Sequence, residues 1–240
     1  MMNFQDKTMS RAMTLWQTDE ELFKIVKDEL YTAVVGDIMD KMGLLDQFLP
    51  PVVRPLKPDM FVVGRAMTVL EADVFGEGGH ANPVLNKPFG LMLEALDDLK
   101  AHEVYICAGA SPKYALWGEL MTVRAMKLGA AGAVVDGYSR DTKSILDMNF
   151  PVFSYGSYAR DQAPRGKVMD FRVPLEIRGV KIHPGDIVLG DIDGVCIIPR
   201  RAEREVFNLA IEKARGEKMV RKKIEEGMST KEAFEKYGIM

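Results

Sequence analysis

The feature that most constrains this chain is an alternation of strand-like and helix-like segments in its middle third. Short apolar runs alternate with segments whose apolar residues recur at helical spacing, and glycine or polar residues stand at several of the boundaries. The predicted elements are a strand at 103–108, a helix at 118–128, a strand at 133–135, a helix at 142–148 and a strand that begins at Pro151. This alternation predicts a mixed α/β fold.

Helical and strand-rich segments flank this middle region. Thr18 and Glu21 have the spacing of a capping box and predict a first helix, and residues 32–42 predict a second. Residues 166–199 carry several short strand signals separated by turn signals, and residues from 201 to about 226 predict a long charged helix. The predicted organisation is a single domain over residues 1–240, with helical arms at 1–48 and 200–240.

Composition excludes several classes of protein. The chain is 47% apolar and 28% charged, with a net charge of −3, so it lacks the basic surface expected of a nucleic-acid-binding protein. Its apolar runs are all shorter than the roughly 18 residues that a membrane helix needs, and the N-terminus lacks the apolar core of a secretory signal. We therefore expect a cytoplasmic protein. Cys107 and Cys196 lie in apolar runs and predict buried, reduced thiols.

Two loop-to-helix junctions carry the residues best suited to chemistry. The first amides of a helix have no partner within the helix, and the helix dipole makes that end positive, so a carboxylate can bind beside Gly118. Arg140 can clamp the same carboxylate through two hydrogen bonds. Asp141 offers the hard oxygen ligand that Mg²⁺ or Mn²⁺ prefers, and Glu119 is a second acid able to move a proton.

A simpler interpretation of the same residues stays open at this point. An Arg-Asp pair before a helix is commonly a solvated ion pair, with Ser139 or Asp141 as the helix cap. Gly118 is equally consistent with a tight turn.

Several segments resemble the RraA-like family, whose enzyme branch includes the class II 4-hydroxy-4-methyl-2-oxoglutarate/4-carboxy-4-hydroxy-2-oxoadipate aldolases. In that branch an acidic residue is followed, after twenty intervening residues, by Arg-Asp, and here Glu119 is followed at that spacing by Arg140 and Asp141. The resemblance covers roughly residues 30–230. It rests on the segments 32–37, 117–120, 129–137, 140–141, 151–153 and 184–195.

The resemblance implies an α/β sandwich of the swivelling β/β/α type, assembled as a homotrimer or a pair of trimers. It also implies that Asp141 binds the metal, Mg²⁺ or Mn²⁺, and that Glu119 acts through metal-bound water. A C-terminal acid of a neighbouring subunit completes the family site, and Glu217 matches it best, with Glu212 as the alternative. The residues implied to bind the 2-oxo acid are Gly118, Glu119, Leu120, Met121 and Arg140.

The implied activity is that of a metal-dependent lyase. It would cleave a 4-hydroxy-2-oxo acid to pyruvate and a second oxo acid, and oxaloacetate decarboxylation would be a side activity because it generates the same enolate. The alternative is a non-catalytic RraA-like regulator that binds an RNA-degrading endonuclease. A methyltransferase, another label used in the family, is disfavoured because no glycine-rich cofactor loop precedes an acidic strand end.

Two further residues have open roles. The loop at 76–83 departs from the pattern of the best-known aldolases, and its His80 is either a substrate contact or a solvated loop residue. Lys113 is a conceivable Schiff-base lysine, although the Arg-Asp pair fits metal chemistry better.

Overall fold

The computed structural model describes residues 15–76 and 78–238, so the start of the predicted N-terminal arm lies outside the described residues. The predicted helices are present in the described part. The helices are α1 (Asp19–Glu29), α2 (Thr32–Lys41), α3 (Met92–Asp97), α4 (Glu119–Leu128), α5 (Thr142–Asp147), α6 (Glu203–Glu225) and α7 (Thr230–Tyr237).

The predicted strands of the middle region and of residues 166–199 are also confirmed. Three short strands, β1, β4 and β6 below, were not predicted. The strands are β1 (Arg54–Pro55), β2 (Val62–Asp73), β3 (Glu103–Ala108), β4 (Ala115–Trp117), β5 (Gly132–Val135), β6 (Tyr138–Ser139), β7 (Val152–Ser154), β8 (Gly166–Phe171), β9 (Leu175–Ile177), β10 (Val180–Ile182), β11 (Ile187–Asp191) and β12 (Gly194–Ile198).

The main sheet is mixed, and the long strand β2 is shared by its two halves. The strand order is β1-β7-β5-β3-β2-β11-β12. Strands β2, β3, β5 and β7 are parallel neighbours, whereas β11 and β12 are antiparallel. β8 pairs with the last part of β2, with a register shift between Leu70 and Glu71. β4 and β6 form a separate parallel pair, and β9 and β10 form a hairpin.

Local sequence signals explain several element ends. The Thr18 hydroxyl accepts a hydrogen bond from the backbone N–H of Glu21 at 3.2 Å, and the Glu21 carboxylate bonds the Thr18 N–H, which completes the predicted capping box of α1. α4 ends at Gly129, whose φ of 77° is the left-handed conformation that glycine adopts most easily. The β9–β10 turn uses Arg178 and Gly179, both with positive φ.

The helices cover one face of the sheet in two groups. α1, α2 and α6 pack over β11 and β12, with Leu22, Val35 and Phe207 fully buried among them. α3, α4 and α5 pack over the parallel strands. The β9–β10 hairpin packs against residues of the opposite face, including Ile106 and Val188. The helices α1, α2 and α6 are therefore part of the core.

This arrangement confirms the expected α/β fold of the swivelling β/β/α type, with helices at both ends. Both cysteines are free and buried, as predicted. Within the described residues, no helix is long and apolar enough to cross a membrane.

Candidate active site

The start of α4 is the centre of the candidate site. β4 delivers the chain to Gly118, which is the N-cap of α4 and makes no side-chain cap. The helix start is locked from inside, because the Trp117 indole N–H donates to the Thr122 hydroxyl at 2.8 Å and that hydroxyl donates to the Gly118 carbonyl at 3.0 Å. The first amides of α4 are thus held at the protein surface.

Asp141 reaches over to this helix start and does not cap its own helix. It occupies the N-cap position of α5 with φ 55°, and its side chain makes no capping bond there. Instead, its Oδ2 accepts a hydrogen bond from the Glu119 backbone N–H at 3.2 Å. Asp141 is thus the predicted N-cap of α5 by position, but its side chain makes no capping bond. The alternative, Ser139, is wrong, because it lies within β6 with its hydroxyl 3.2 Å from that of Ser154.

Gly118 is required here by a close approach. Its φ of −154° is ordinary extended backbone, so conformational freedom does not explain the glycine. A Cβ atom at this position would lie 2.8 Å from the Asp141 Oδ2. Any side chain at 118 would therefore push the carboxylate away from the helix start.

Arg140 is oriented by an acid that sequence reasoning missed. Its backbone N–H donates to the Trp117 carbonyl at 2.9 Å. Its Nη1 donates to the Asp161 Oδ1 at 2.6 Å, and its Nε lies 3.7 Å from the Asp141 Oδ2. A guanidinium carries five N–H donors, so this arrangement leaves donors for a ligand.

These residues border a cavity of about 680 Å³. Its apolar wall comes from Phe89, α3 and the end of β4, and its polar wall comes from the start of α4, Arg140, Asp141, Asp161 and Gln162. The structure thus brings together the six predicted site residues of this region, Gly118, Glu119, Leu120, Met121, Arg140 and Asp141. Leu120 is 82% exposed. A pocket with apolar walls and a few convergent polar groups is the usual form of a small-molecule site.

Glu217 lies elsewhere in the chain. It is in α6, where it bonds the Tyr31 hydroxyl and lies 3.3 Å from the Lys213 Nζ. Burial and this hydrogen bond raise the pKa of Tyr31 to about 12. Glu212 is exposed on the same helix. The role predicted for Glu217 or Glu212 requires contact between two copies of the chain, and it stays a prediction.

His80 and Lys113 do not line this cavity. His80 is partly buried, and within the described residues its Nε2 meets no hydrogen-bond partner. Lys113 lines a separate depression of about 440 Å³ with Tyr138 and Arg160.

The donor set fits a divalent cation in one limited way. Among the described residues, no group of three or more His, Cys, Asp or Glu is arranged to hold a metal. Mg²⁺, however, commonly takes one or two carboxylates and fills its remaining positions with water and substrate oxygens. The partly exposed Asp141 carboxylate at the cavity wall suits that mode.

Comparisons with known proteins agree with this fold. The protein DlpA of Legionella pneumophila is 30% identical over 207 residues, and the match covers 86% of this chain but only 32% of that protein's length. A protein of Halalkalibacterium halodurans with the provisional name 4-hydroxy-4-methyl-2-oxoglutarate aldolase is 32% identical over 183 residues, which cover 76% of this chain and 79% of that protein.

A solved structure shows the same fold. RraAS2 from Streptomyces coelicolor, described as an unusual member of the RNase ES inhibitor RraA protein family, has a TM-score of 0.71 at 21% identity and covers 86% of this chain and 98% of that chain. A family model described as RraA-like, Aldolase/RraA, matches residues 32–197. Because this match spans well over half of the sequence, the chain belongs to the RraA-like family.

Proposed function

We propose that this protein is a divalent-metal-dependent lyase that cleaves a 4-hydroxy-2-oxo acid to pyruvate and a second oxo acid. The observation that carries the proposal is the convergence of Arg140, Asp141 and the first amide of α4 at one polar wall of an apolar cavity. The aldolase name of the Halalkalibacterium halodurans relative supports the same class of reaction.

The residues of the polar wall account for binding of the substrate carboxylate. Arg140 offers guanidinium donors, and the hydrogen bond from its Nη1 to the Asp161 Oδ1 holds the guanidinium in place. The positive end of the α4 dipole adds to the attraction for an anion. The carboxylate of the oxo acid therefore binds between Arg140 and the helix start.

Asp141 is the residue that would hold Mg²⁺ or Mn²⁺. When bound, the cation supplies Lewis-acid polarisation of the substrate's 2-oxo group. Gly118 serves this role indirectly, because its missing side chain lets the Asp141 carboxylate lie against the start of α4.

The remaining step is proton removal from the substrate's C4 hydroxyl. Glu119 has an exposed side chain at the cavity wall and is the acid of this chain best placed to accept that proton. Cleavage of the C3–C4 bond then leaves pyruvate as its enolate, whose negative charge lies near Arg140 and the helix start. Oxaloacetate yields the same enolate by loss of CO₂ and is expected to be a second substrate.

The proposal includes an assembly. A homotrimer or hexamer would bring Glu217, or Glu212, of one copy to the cavity of another. In this arrangement the acid would help to orient water near Glu119.

The test is a pyruvate-release assay on 4-hydroxy-4-methyl-2-oxoglutarate and oxaloacetate, with Mg²⁺, with Mn²⁺ and with EDTA. We expect release that depends on metal and that falls by a factor on the order of 10³ in Asp141→Asn. Asp147→Asn is the matched control, because Asp147 is an exposed carboxylate of the adjacent α5 paired only with Lys143 in the described structure. Electron paramagnetic resonance of Mn²⁺ measures metal binding independently of turnover.

The proposal would be contradicted if neither substrate released pyruvate with Mg²⁺ or Mn²⁺. The non-catalytic alternative then becomes the working hypothesis, and binding to an RNA-degrading endonuclease in a pull-down would support it. Full activity of Asp141→Asn would refute the assigned metal ligand.

A further inference from the structure

A buried carboxyl group lies behind the wall of the cavity. Glu71, in β2, is 2% exposed. The Gln162 amide nitrogen lies 2.9 Å from its Oε2 and 3.1 Å from its Oε1. Because this partner is a neutral amide and not a cation, a negative charge on Glu71 is costly.

Gln162 connects Glu71 to the candidate site. Gln162 borders the cavity, its side chain bonds Glu71, and it follows Asp161, the acid that orients Arg140. The backbone carbonyl of Gln162 accepts hydrogen bonds from the backbone N–H groups of Arg165 and Gly166 at 2.7 and 3.0 Å, which holds this segment in place. A change at Glu71 therefore reaches the cavity through one side chain.

The amide of Gln162 has two different faces to offer. In the structure the side-chain nitrogen is turned to Glu71, and the oxygen, on the other branch of the same planar group, does not bond Glu71. An amide oxygen accepts hydrogen bonds, whereas the NH₂ group donates them. Whether the oxygen or the NH₂ group meets a ligand depends on whether Glu71 donates or accepts the hydrogen bond that it shares with Gln162.

The groups that face Glu71 do not titrate near neutral pH. Burial raises the pKa values of Tyr105 and Cys107 well above their usual ranges, and burial also raises the pKa of Tyr114. Burial works to raise the pKa of Asp73 too, but hydrogen bonds from Ser111 and Tyr114 leave it below its usual value. The tyrosines and the thiol therefore stay neutral, and Asp73 stays ionised.

Glu71 is different from these neighbours. Burial raises the pKa of its carboxyl group to about 8, although the Gln162 amide opposes the rise. It is mostly protonated at pH 7 and mostly ionised at pH 9.

We propose that Glu71 is a positioning residue that acts through Gln162 to set the affinity of the cavity for an anionic ligand. The inference rests on the proposed function, because it takes the ligand to be an oxo acid. A protonated Glu71 donates its O–H to the Gln162 oxygen and turns an amide N–H toward the ligand carboxylate. An ionised Glu71 draws the amide nitrogen back, so that an oxygen faces the carboxylate and a negative charge lies behind it.

The first test measures the dissociation constant of pyruvate and the KM and kcat for oxaloacetate between about pH 6 and 9, in the presence of Mg²⁺. We expect the wild-type affinity for pyruvate to weaken by roughly tenfold between pH 7 and 9, with a midpoint near 8. Glu71→Gln, which cannot ionise, is expected to show a flat profile and no rise in KM. Glu94→Gln, an exposed change on α3, is the control and should keep the wild-type profile.

The proposal would be overturned if the pyruvate affinity of Glu71→Gln still changed with the wild-type midpoint. It would also be overturned if Glu71→Gln lost affinity equally at every pH. If Glu71→Gln does not fold, Glu71→Asp is the second variant. Its shorter side chain retracts from Gln162, so the change in affinity should shrink and its midpoint should move. A wild-type profile in that variant counts against the proposal.

Infrared spectroscopy supplies a readout that needs no turnover. The carbonyl stretch of a buried protonated carboxyl should be present at pH 7, lost near pH 8 and absent from Glu71→Gln. Pyruvate should move its midpoint to higher pH, since the ligand favours the protonated state. Ligand-linked titration without turnover would refute only the proposed function, whereas turnover with a pH-independent affinity would refute only the role of Glu71.

Discussion

Two arginines, Arg65 and Arg140, each lie between two carboxylates, but their surroundings differ. Arg65, on β2, bonds Asp19 of α1 and Glu203 of α6. It also donates to the Gly185 carbonyl at 3.1 Å. Its side chain is 17% exposed. This arginine joins both terminal helical segments to the sheet.

The Arg140 cluster is more exposed to solvent, and fewer of the arginine's hydrogen-bond donors are used within the protein. Arg140 makes one short bond, to Asp161, and a longer contact of 3.7 Å with Asp141, and its side chain is 38% exposed. The same residue types therefore serve two purposes. Where the donors of an arginine are used up within the protein, the cluster stabilises the fold, and where donors remain at a cavity, the cluster can bind a ligand.

The largest expected effect concerns the stability supplied by Arg65. Arg65→Met should lower the free energy of unfolding by about 3 kcal/mol, because Asp19 and Glu203 would face each other without their cation. Urea unfolding followed by circular dichroism measures this loss. Arg221→Met, at an exposed pair within α6, is the control and should change the free energy of unfolding little. Equal effects of the two variants would mean that Arg65 is no more than a surface ion pair.

The second effect concerns activity. Arg140→Lys should lower kcat/KM by roughly tenfold to a hundredfold, mainly through KM, because an ammonium group cannot reproduce the guanidinium's fork of donors. Stability should be unchanged, since Arg140 is already half in solvent. Steady-state kinetics beside Arg65→Lys checks the contrast. If Arg65→Lys impaired turnover of the folded protein as strongly, the division of roles between the two clusters would be wrong.

The smallest effect is a pH dependence of stability. The hydrogen bond from Arg65 holds the pKa of Asp19 below its usual value of 3.8. A carboxyl whose pKa is lower in the folded state stabilises the protein above that usual value, and this contribution disappears as the pH falls through the folded pKa. Asp19→Asn should therefore show a shallower loss of stability below about pH 4 than the wild type. Thermal unfolding across this range tests it, and a slope equal to that of the wild type would contradict it.

The fold was largely predictable because its signals are local. The capping box of α1, the glycine after α4 and the apolar runs of the parallel strands each act within a few residues. β1, β4 and β6 were missed because strands of two or three residues carry no measurable period. α7 was missed as well, since it is a short helix in which four of the eight residues are charged.

The site was predictable only where residues are close in sequence to a helix start. Gly118, Glu119, Arg140 and Asp141 could be found this way, and the family spacing linked Glu119 to Arg140 and Asp141. Asp161 and Gln162 could not, because they lie in a segment without a motif and reach the cavity only through tertiary packing. The left-handed backbone at Asp141, which frees its carboxylate from capping α5, also leaves no trace in the sequence.

The double pairing of β2 has a consequence for synthesis on the ribosome. One edge of β2 pairs with β3, which is synthesised soon after it. The other edge pairs with β8 and with β11, where Ile187 lies opposite Arg65, and both of these strands are synthesised later. An unpaired strand edge is a template for pairing with another chain. The nascent protein therefore exposes an unpaired strand edge through much of its translation. We expect the yield of folded protein in a cell to depend on protection of this edge from aggregation until β8 and β11 have been synthesised.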